Sequence, residues 1–206
     1  MSKELPSLTQ IKACQSSPWD VGNNVLYNLC RENFTHHDTG QVLAKVWLIG
    51  RSYAAAIERR RNKKLSNDDF YIYEVAPAFM NSEIDHKMAF LKKFDAITPE
   101  ITTDILETHY YLLQLVKSLT DLEKRSFCSK YLHFHLPNLF FIYDSRVVNA
   151  LRKWKNELAQ PIHFNKNVDQ EYSKTFFKCL TIKRMLEEKH GLSISPRHLD
   201  TIFLNA

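Results

Sequence analysis

Glycine is scarce in this chain, with four among 206 residues. Loops that wrap the phosphates of a nucleotide depend on closely spaced glycines, and tight β-hairpin turns also favour glycine. The scarcity therefore argues against a glycine-rich nucleotide-binding fold and against an all-β fold with many turns. The 12% share of aromatic residues suits a packed helical core instead.

The chain also lacks any pair of cysteines with C-x-x-C spacing, which zinc and iron–sulfur modules require. Nothing near the adjacent His36 and His37 completes a set of metal ligands. We therefore expect no metal and no cofactor, and thiols that stay reduced in a cytoplasmic protein. The four cysteines are Cys14, Cys30, Cys128 and Cys179.

Long apolar runs are missing too, and no segment before residue 20 has the pattern of a signal peptide. We expect a monomer with no membrane partner.

The net charge of +5 is compatible with DNA binding, although many proteins that bind no nucleic acid match it. Basic residues cluster at 59–64, 92–93, 124–125, 152–155 and 183–184.

Helical periodicity covers most of the chain. Apolar residues recur every three or four positions over 41–59 and over 101–119, and Thr98-Pro99 is a strong helix start. Residues 70–75 are rich in aromatic and β-branched side chains, as strands are. Because no second strand is evident, we expect them to form a buried helix or extended segment.

These patterns predict an all-α fold, a single helical domain over residues 1–206 that is either one body or two packed lobes with a cleft. Residues 1–20 are polar and predict an irregular N-terminal arm, with Trp19 as its anchor. Residues 161–170 predict a polar loop.

The most informative stretch is residues 122–151, LEKRSFCSKYLHFHLPNLFFIYDSRVVNAL. It predicts a short amphipathic helix that carries Lys130, an apolar connection broken by Pro137, and a second helix that opens at Asp144. Partial desolvation of a lysine favours the nucleophilic neutral amine, whereas an aspartate at a helix N-terminus stays ionised. The two residues are expected to face one cleft. Taken alone, Asp144 is also explained as a helix cap and Lys130 as a solvated lysine.

The sequence DSRVVNAL, from Asp144 onward, resembles the segment after the catalytic loop of the helix-hairpin-helix DNA glycosylases, the superfamily of endonuclease III, adenine glycosylase and 8-oxoguanine glycosylase. Upstream, SKYL around Lys130 resembles the exit of the family's hairpin. Two features depart from that pattern. The interval of 144 − 130 = 14 residues is a few residues short, and residues 121–130 contain no glycine that would let backbone N–H groups approach a DNA phosphate closely.

The resemblance implies a divergent DNA glycosylase that excises a damaged or modified base, with or without lyase activity. Lys130 would be the Schiff-base lysine and Asp144 the family aspartate. It also implies phosphate contacts and a base pocket, and leaves open whether the DNA is duplex or single-stranded. The phosphate contacts would be Lys124, Arg125, Ser126, Ser129 and Arg146, and the pocket would include Arg51, Tyr53 and His133.

Other interpretations of the same residues remain open at this point. Arg51 could simply pair with Glu58, and Tyr53 could simply be part of the core. For the whole chain, the alternatives are a nucleic-acid-binding helical domain without catalysis and a helical protein-interaction module whose basic clusters are solvated surface.

Overall fold

The structure, a computed structural model, describes residues 4–157 and 167–205. This part of the chain is all-α and contains no strand, as the sequence predicts. The first three residues of the predicted arm and most of the predicted loop at 161–170 lie outside the described residues. The helices are α1 (Leu8–Ala13), α2 (Asp20–Glu32), α3 (Thr39–Ser52), α4 (Asn67–Asp69), a π-helix (Phe70–Val75), α5 (Ala76–Met80), α6 (Ile84–Leu91), α7 (Pro99–Thr120), α8 (Arg125–His135), α9 (Ser145–Leu151), a 3-10 segment (Arg152–Glu157), α10 (Gln170–His190) and α11 (Pro196–Asn205).

Helix α8 lies at the centre of the fold and packs against α2, α3 and α7. Every side chain from Phe127 to His135 is buried. The prediction of an amphipathic helix is therefore wrong, because neighbouring helices cover the polar face of α8 as well as its apolar face. As a consequence, Lys130 belongs to the interior, where its charge needs partners.

The N-terminal region differs from the predicted irregular arm. Residues Leu8–Ala13 form α1, which Ser7 and Gln10 begin with a reciprocal capping box and which buries Ile11. Trp19 does not anchor the segment, because its side chain is 77% exposed.

Helix α3 ends at Ser52, although the apolar period continues towards residue 59. The chain turns back over the end of the helix, where the Ala55 N–H donates to the Gly50 carbonyl at 2.8 Å. A Cβ on Gly50 would lie 3.1 Å from the Cα of Ala56, so glycine permits this close approach. Because of this turn, the Tyr53 carbonyl takes no part in the helical hydrogen-bond pattern and can accept a hydrogen bond from another element.

Residues 70–75 form a π-helix that runs without a break from α4 into α5, with Phe70, Tyr71 and Val75 buried. Helix α7 begins at Pro99, as predicted, and ends before Asp121, which adopts a left-handed conformation (φ 56°). A short turn then leads into α8, so α7 and α8 form a hairpin of helices. Within the described residues, no helix is long and apolar enough to cross a membrane.

Candidate active site

Lys130 and Asp144 meet across the connection between α8 and α9. The Lys130 Nζ lies 3.3 Å from Asp144 Oδ2. The other carboxylate oxygen, Oδ1, accepts the backbone N–H groups of Arg146 and Val147 at 3.0 and 3.1 Å. Asp144 is thus the N-cap of α9, and this cap fixes the orientation in which its second oxygen faces the lysine.

The Lys130 ammonium has an acceptor for each of its three N–H groups. Besides Asp144, these are the Ser126 Oγ at 3.0 Å and the Tyr53 carbonyl at 3.3 Å. The lysine side chain is only 3% exposed. Burial lowers the pKa of Lys130, and the charge and hydrogen bond of Asp144 oppose that shift.

The end of α3 and helix α2 form one side of the site. The Tyr53 ring centroid lies 5.6 Å from the Lys130 Nζ, and the Tyr53 hydroxyl donates to Asn23 Oδ1 at 2.5 Å. The Nδ2 of Asn23 is buried and has no hydrogen-bond partner. A buried amide with unused donors is costly unless a ligand or water satisfies it.

Next to this amide, His133 is held as a neutral ring. Its Nδ1–H donates to the Phe140 carbonyl at 2.8 Å, so its Nε2 accepts from the Tyr27 hydroxyl at 2.7 Å. Burial lowers the pKa of His133 to about 4. Both ring nitrogens are therefore engaged within the protein, and His133 supports Tyr27 rather than lining an open base pocket.

Helix α11 packs against α9 and brings a second carboxylate close to the pair. Asp200 is buried and its Oδ2 accepts from Arg197 Nη1 at 2.9 Å. Burial raises the pKa of Asp200 to about 6; Arg197 lowers it, and the negative charge of Asp144 raises it further. Sequence analysis missed Asn23, Arg197 and Asp200, because only packing of distant helices brings them to the site.

Two of the predicted phosphate ligands serve the fold instead. Ser129 is fully buried, and its Oγ accepts the Tyr143 N–H at 2.9 Å, which ties α8 to the segment before α9. Arg125 forms ion pairs with Asp169 at 2.6 Å and with Glu123 at 2.7 Å, so its charge is already neutralised within the chain.

The remaining predicted residues divide between the site and other regions. Arg51 pairs with Glu58 at 2.6 Å rather than with a member of the site, and Lys124 donates to the Arg59 carbonyl. Arg146 is 65% exposed and lies 3.8 Å from Asp144 Oδ2, so a cation is presented to solvent beside the carboxylate.

A carboxylate fixed in this way can stabilise positive charge that develops on a nearby atom. Among the described residues, no three His, Cys, Asp or Glu side chains lie close enough to hold a metal ion. Comparisons with models of protein families, with curated proteins and with solved structures find no match for this chain.

Proposed function

We propose that this protein is a DNA glycosylase in which Asp144 is the catalytic carboxylate. The observation that carries the proposal is the contact between Asp144 and Lys130, the two residues that the resemblance to helix-hairpin-helix glycosylases assigns to catalysis. Two further features support the proposal: Lys130 lies in α8, the second helix of the hairpin formed with α7, and Asp144 is the N-cap of α9.

The proposed reaction begins when a nucleotide is extruded from DNA, because a stacked base is out of reach of protein side chains. Cleavage of the N-glycosidic bond leaves positive charge on the sugar, and Asp144 would stabilise that charge or activate the attacking water. The exposed Arg146 would hold an adjacent phosphate. Tyr53 and the unpartnered amide of Asn23 would contact the extruded base.

The proposal is tested with Asp144→Asn, because asparagine is also a good helix cap and removes only the charge. The substrates are oligodeoxynucleotides that each carry one damaged or modified base, as duplex and as single strand. We expect base release by the wild type, none by Asp144→Asn, and an unchanged circular dichroism spectrum.

The matched control is Asp38→Asn. Asp38 caps α3 through the Gln41 N–H at 2.8 Å, so the chemical change is the same at a cap outside the site. We expect this variant to keep wild-type base release. Base release by folded Asp144→Asn at the wild-type rate would contradict the catalytic role.

Borohydride trapping decides whether Lys130 also attacks the sugar. A lyase step requires the neutral Lys130 amine to attack C1′ of the abasic sugar in its ring-opened aldehyde form; loss of water then leaves an imine between Nζ and C1′. Reduction of that imine leaves a covalent protein–DNA adduct, which we expect to be absent in Lys130→Ala. Base release without an adduct assigns the wild type as a monofunctional glycosylase.

A DNA-binding domain without catalysis is the second candidate, and one observation favours it. The Lys130 ammonium is buried and fully hydrogen-bonded, as it would be in a purely structural ion pair. This alternative expects no base release by the wild type and equal DNA affinity of the wild type and Lys130→Met.

A further inference from the structure

The basic run RRRNKK, residues 59–64, contains one arginine that is part of the interior. Arg60 is 5% exposed and its guanidinium lies 4.0 Å from the centroid of the Phe70 ring. It donates to the carbonyls of Leu65 and Ser66 at 2.7 and 3.1 Å, and also to the Glu58 carbonyl and the Asn67 side chain. Through these hydrogen bonds, the buried Arg60 side chain holds both ends of the run in place.

The same run is held on the turn between α7 and α8. The Arg61 N–H donates to the Thr120 carbonyl at 3.1 Å, and Lys124 Nζ donates to the Arg59 carbonyl at 2.5 Å. These bonds join the run to the hairpin from two sides. We call residues 59–64 the basic loop; its backbone is ordered by the protein before any ligand binds.

The other cations of the basic loop are exposed to solvent. No ion pair is formed by any of the four within the described part of the chain, whereas Lys117 and Arg125 beside the same turn both pair with Glu123. Burial lowers the pKa of Lys124, the positive charge of Arg59 lowers it further, and Glu58 opposes the shift. The four exposed cations are Arg59, Arg61, Lys63 and Lys64.

We propose that the basic loop binds the phosphate backbone of duplex DNA without reading its sequence. Duplex DNA carries one negative charge for about every 1.7 Å of its axis, so four cations within six residues can face several phosphates at once. An ordered loop also loses less conformational entropy on binding than a disordered one. The run contains no apolar side chain that could insert into a bilayer, which favours DNA over an anionic membrane.

The position of the loop relates this surface to the candidate site. Lys130 lies five residues after the first residue of α8, which corresponds to about 7.5 Å along the helix axis. A DNA strand bound at the turn between α7 and α8 would therefore pass close to Asp144. In this chain the loop would replace the glycine-lined hairpin backbone as the phosphate contact; the binding itself does not depend on the chemistry proposed for Asp144.

The test compares two variants that lose the same charge. The loop variant carries Arg59→Gln, Arg61→Gln, Lys63→Gln and Lys64→Gln, and Arg60 is kept so that the loop remains ordered. The control variant replaces four exposed cations elsewhere, by Lys12→Gln, Lys178→Gln, Arg184→Gln and Lys189→Gln. Fluorescence anisotropy gives the Kd for two duplexes of unrelated sequence between 50 and 200 mM salt.

Each phosphate contact contributes about 0.9 to the slope of log affinity against log salt, so we expect the loop variant to lose about two to four units of slope on both duplexes. At 100 mM salt its affinity should fall by about tenfold or more, and the control variant should fall by less than about threefold. Equal losses in the two variants would overturn the proposal, as would a loss confined to one duplex.

Two further outcomes separate this inference from the proposed function. In the Asp144→Asn background, the four loop substitutions should remove the same amount of slope as in the wild type, because Asp144 contacts no part of the loop. If the slope depends on the loop but no substrate loses a base, the basic loop is a DNA-binding surface and the glycosylase proposal fails. If the wild type binds anionic vesicles more tightly than DNA, the surface is assigned to the wrong partner.

Discussion

The pair formed by Lys130 and Asp144 predicts an asymmetry in stability between its two single variants. Asp144→Asn keeps the cap of α9 but removes the carboxylate that contacts the 3% exposed ammonium of Lys130. Lys130→Met leaves a carboxylate that is 13% exposed and still accepts two backbone N–H groups. We therefore expect the aspartate substitution to cost more.

The magnitudes follow from the geometry of the pair. At 3.3 Å, two unit charges attract by about 5 kcal/mol with an effective dielectric constant near 20. Desolvation offsets much of this attraction, so we expect about 2–4 kcal/mol of lost stability for Asp144→Asn. We expect only about 1–2 kcal/mol for Lys130→Met, because a methionine fills the space without a buried charge. The double variant should cost about as much as Lys130→Met alone.

Urea unfolding of the four proteins, wild type included, measures these differences as a double-mutant cycle. The expected coupling between the two sites is about 2–4 kcal/mol, equal to the cost of Asp144→Asn alone, and the double variant should be more stable than Asp144→Asn. Additive losses would show that the two charges do not interact in solution. If Lys130→Met loses more stability than Asp144→Asn, burial of the lysine charge does not determine which variant is less stable.

Three other variants test single features of the fold. Lys45 is fully buried, and burial lowers its pKa to about 8. Between pH 8 and 10.5, Lys45 therefore keeps its proton in the unfolded chain and has lost it in the folded chain. The free energy of unfolding of the wild type should therefore rise by about 3 kcal/mol relative to that of Lys45→Met over this pH range. A difference between the two proteins that does not change with pH would refute the lowered pKa. Ser129→Ala should lose about 1–3 kcal/mol in urea, because the Tyr143 N–H loses its acceptor, while the DNA affinity of the folded variant stays unchanged. Arg60→Lys keeps the charge but cannot reach all four acceptors, so its unfolding free energy should fall by about 1–3 kcal/mol; an unchanged value would show that the guanidinium does not hold the loop.

Helix starts and stops are the features of this fold that residue types alone could locate. Pro99 after a threonine, Asp144 before an apolar run and Gly191 after α10 act through bonds within one turn of the chain, and the structure has helix ends at all three. The end of α3 could not be located in this way. Its apolar pattern continues, but the contact of Ala56 with Gly50 reverses the chain, and no local pattern encodes that contact.

The residues of the candidate site also fall into two groups, those that lie close together in the sequence and those that only tertiary packing brings together. Lys130 and Asp144 lie in one connection of 14 residues, so sequence analysis could expect them to meet. Asn23 and Asp200 come from helices near opposite ends of the chain, and only packing places them beside the pair. Ser129 was assigned to phosphate binding because the short sequence of α8 does not reveal that both faces of the helix are covered.

The polar content of α8 is the feature that links the fold to the proposed chemistry. A helix buried on all sides is most stable when it is apolar, yet α8 carries Lys130 together with two buried histidines, His133 and His135. Burial lowers the pKa of both histidines, and the Nδ1–H of each donates to a backbone carbonyl within the fold. Lys130 is different, because a charge held in the interior carries a large desolvation cost. The fold nevertheless holds this charge 3.3 Å from a carboxylate that the cap of α9 has already oriented, and that arrangement is what the proposed catalytic pair requires.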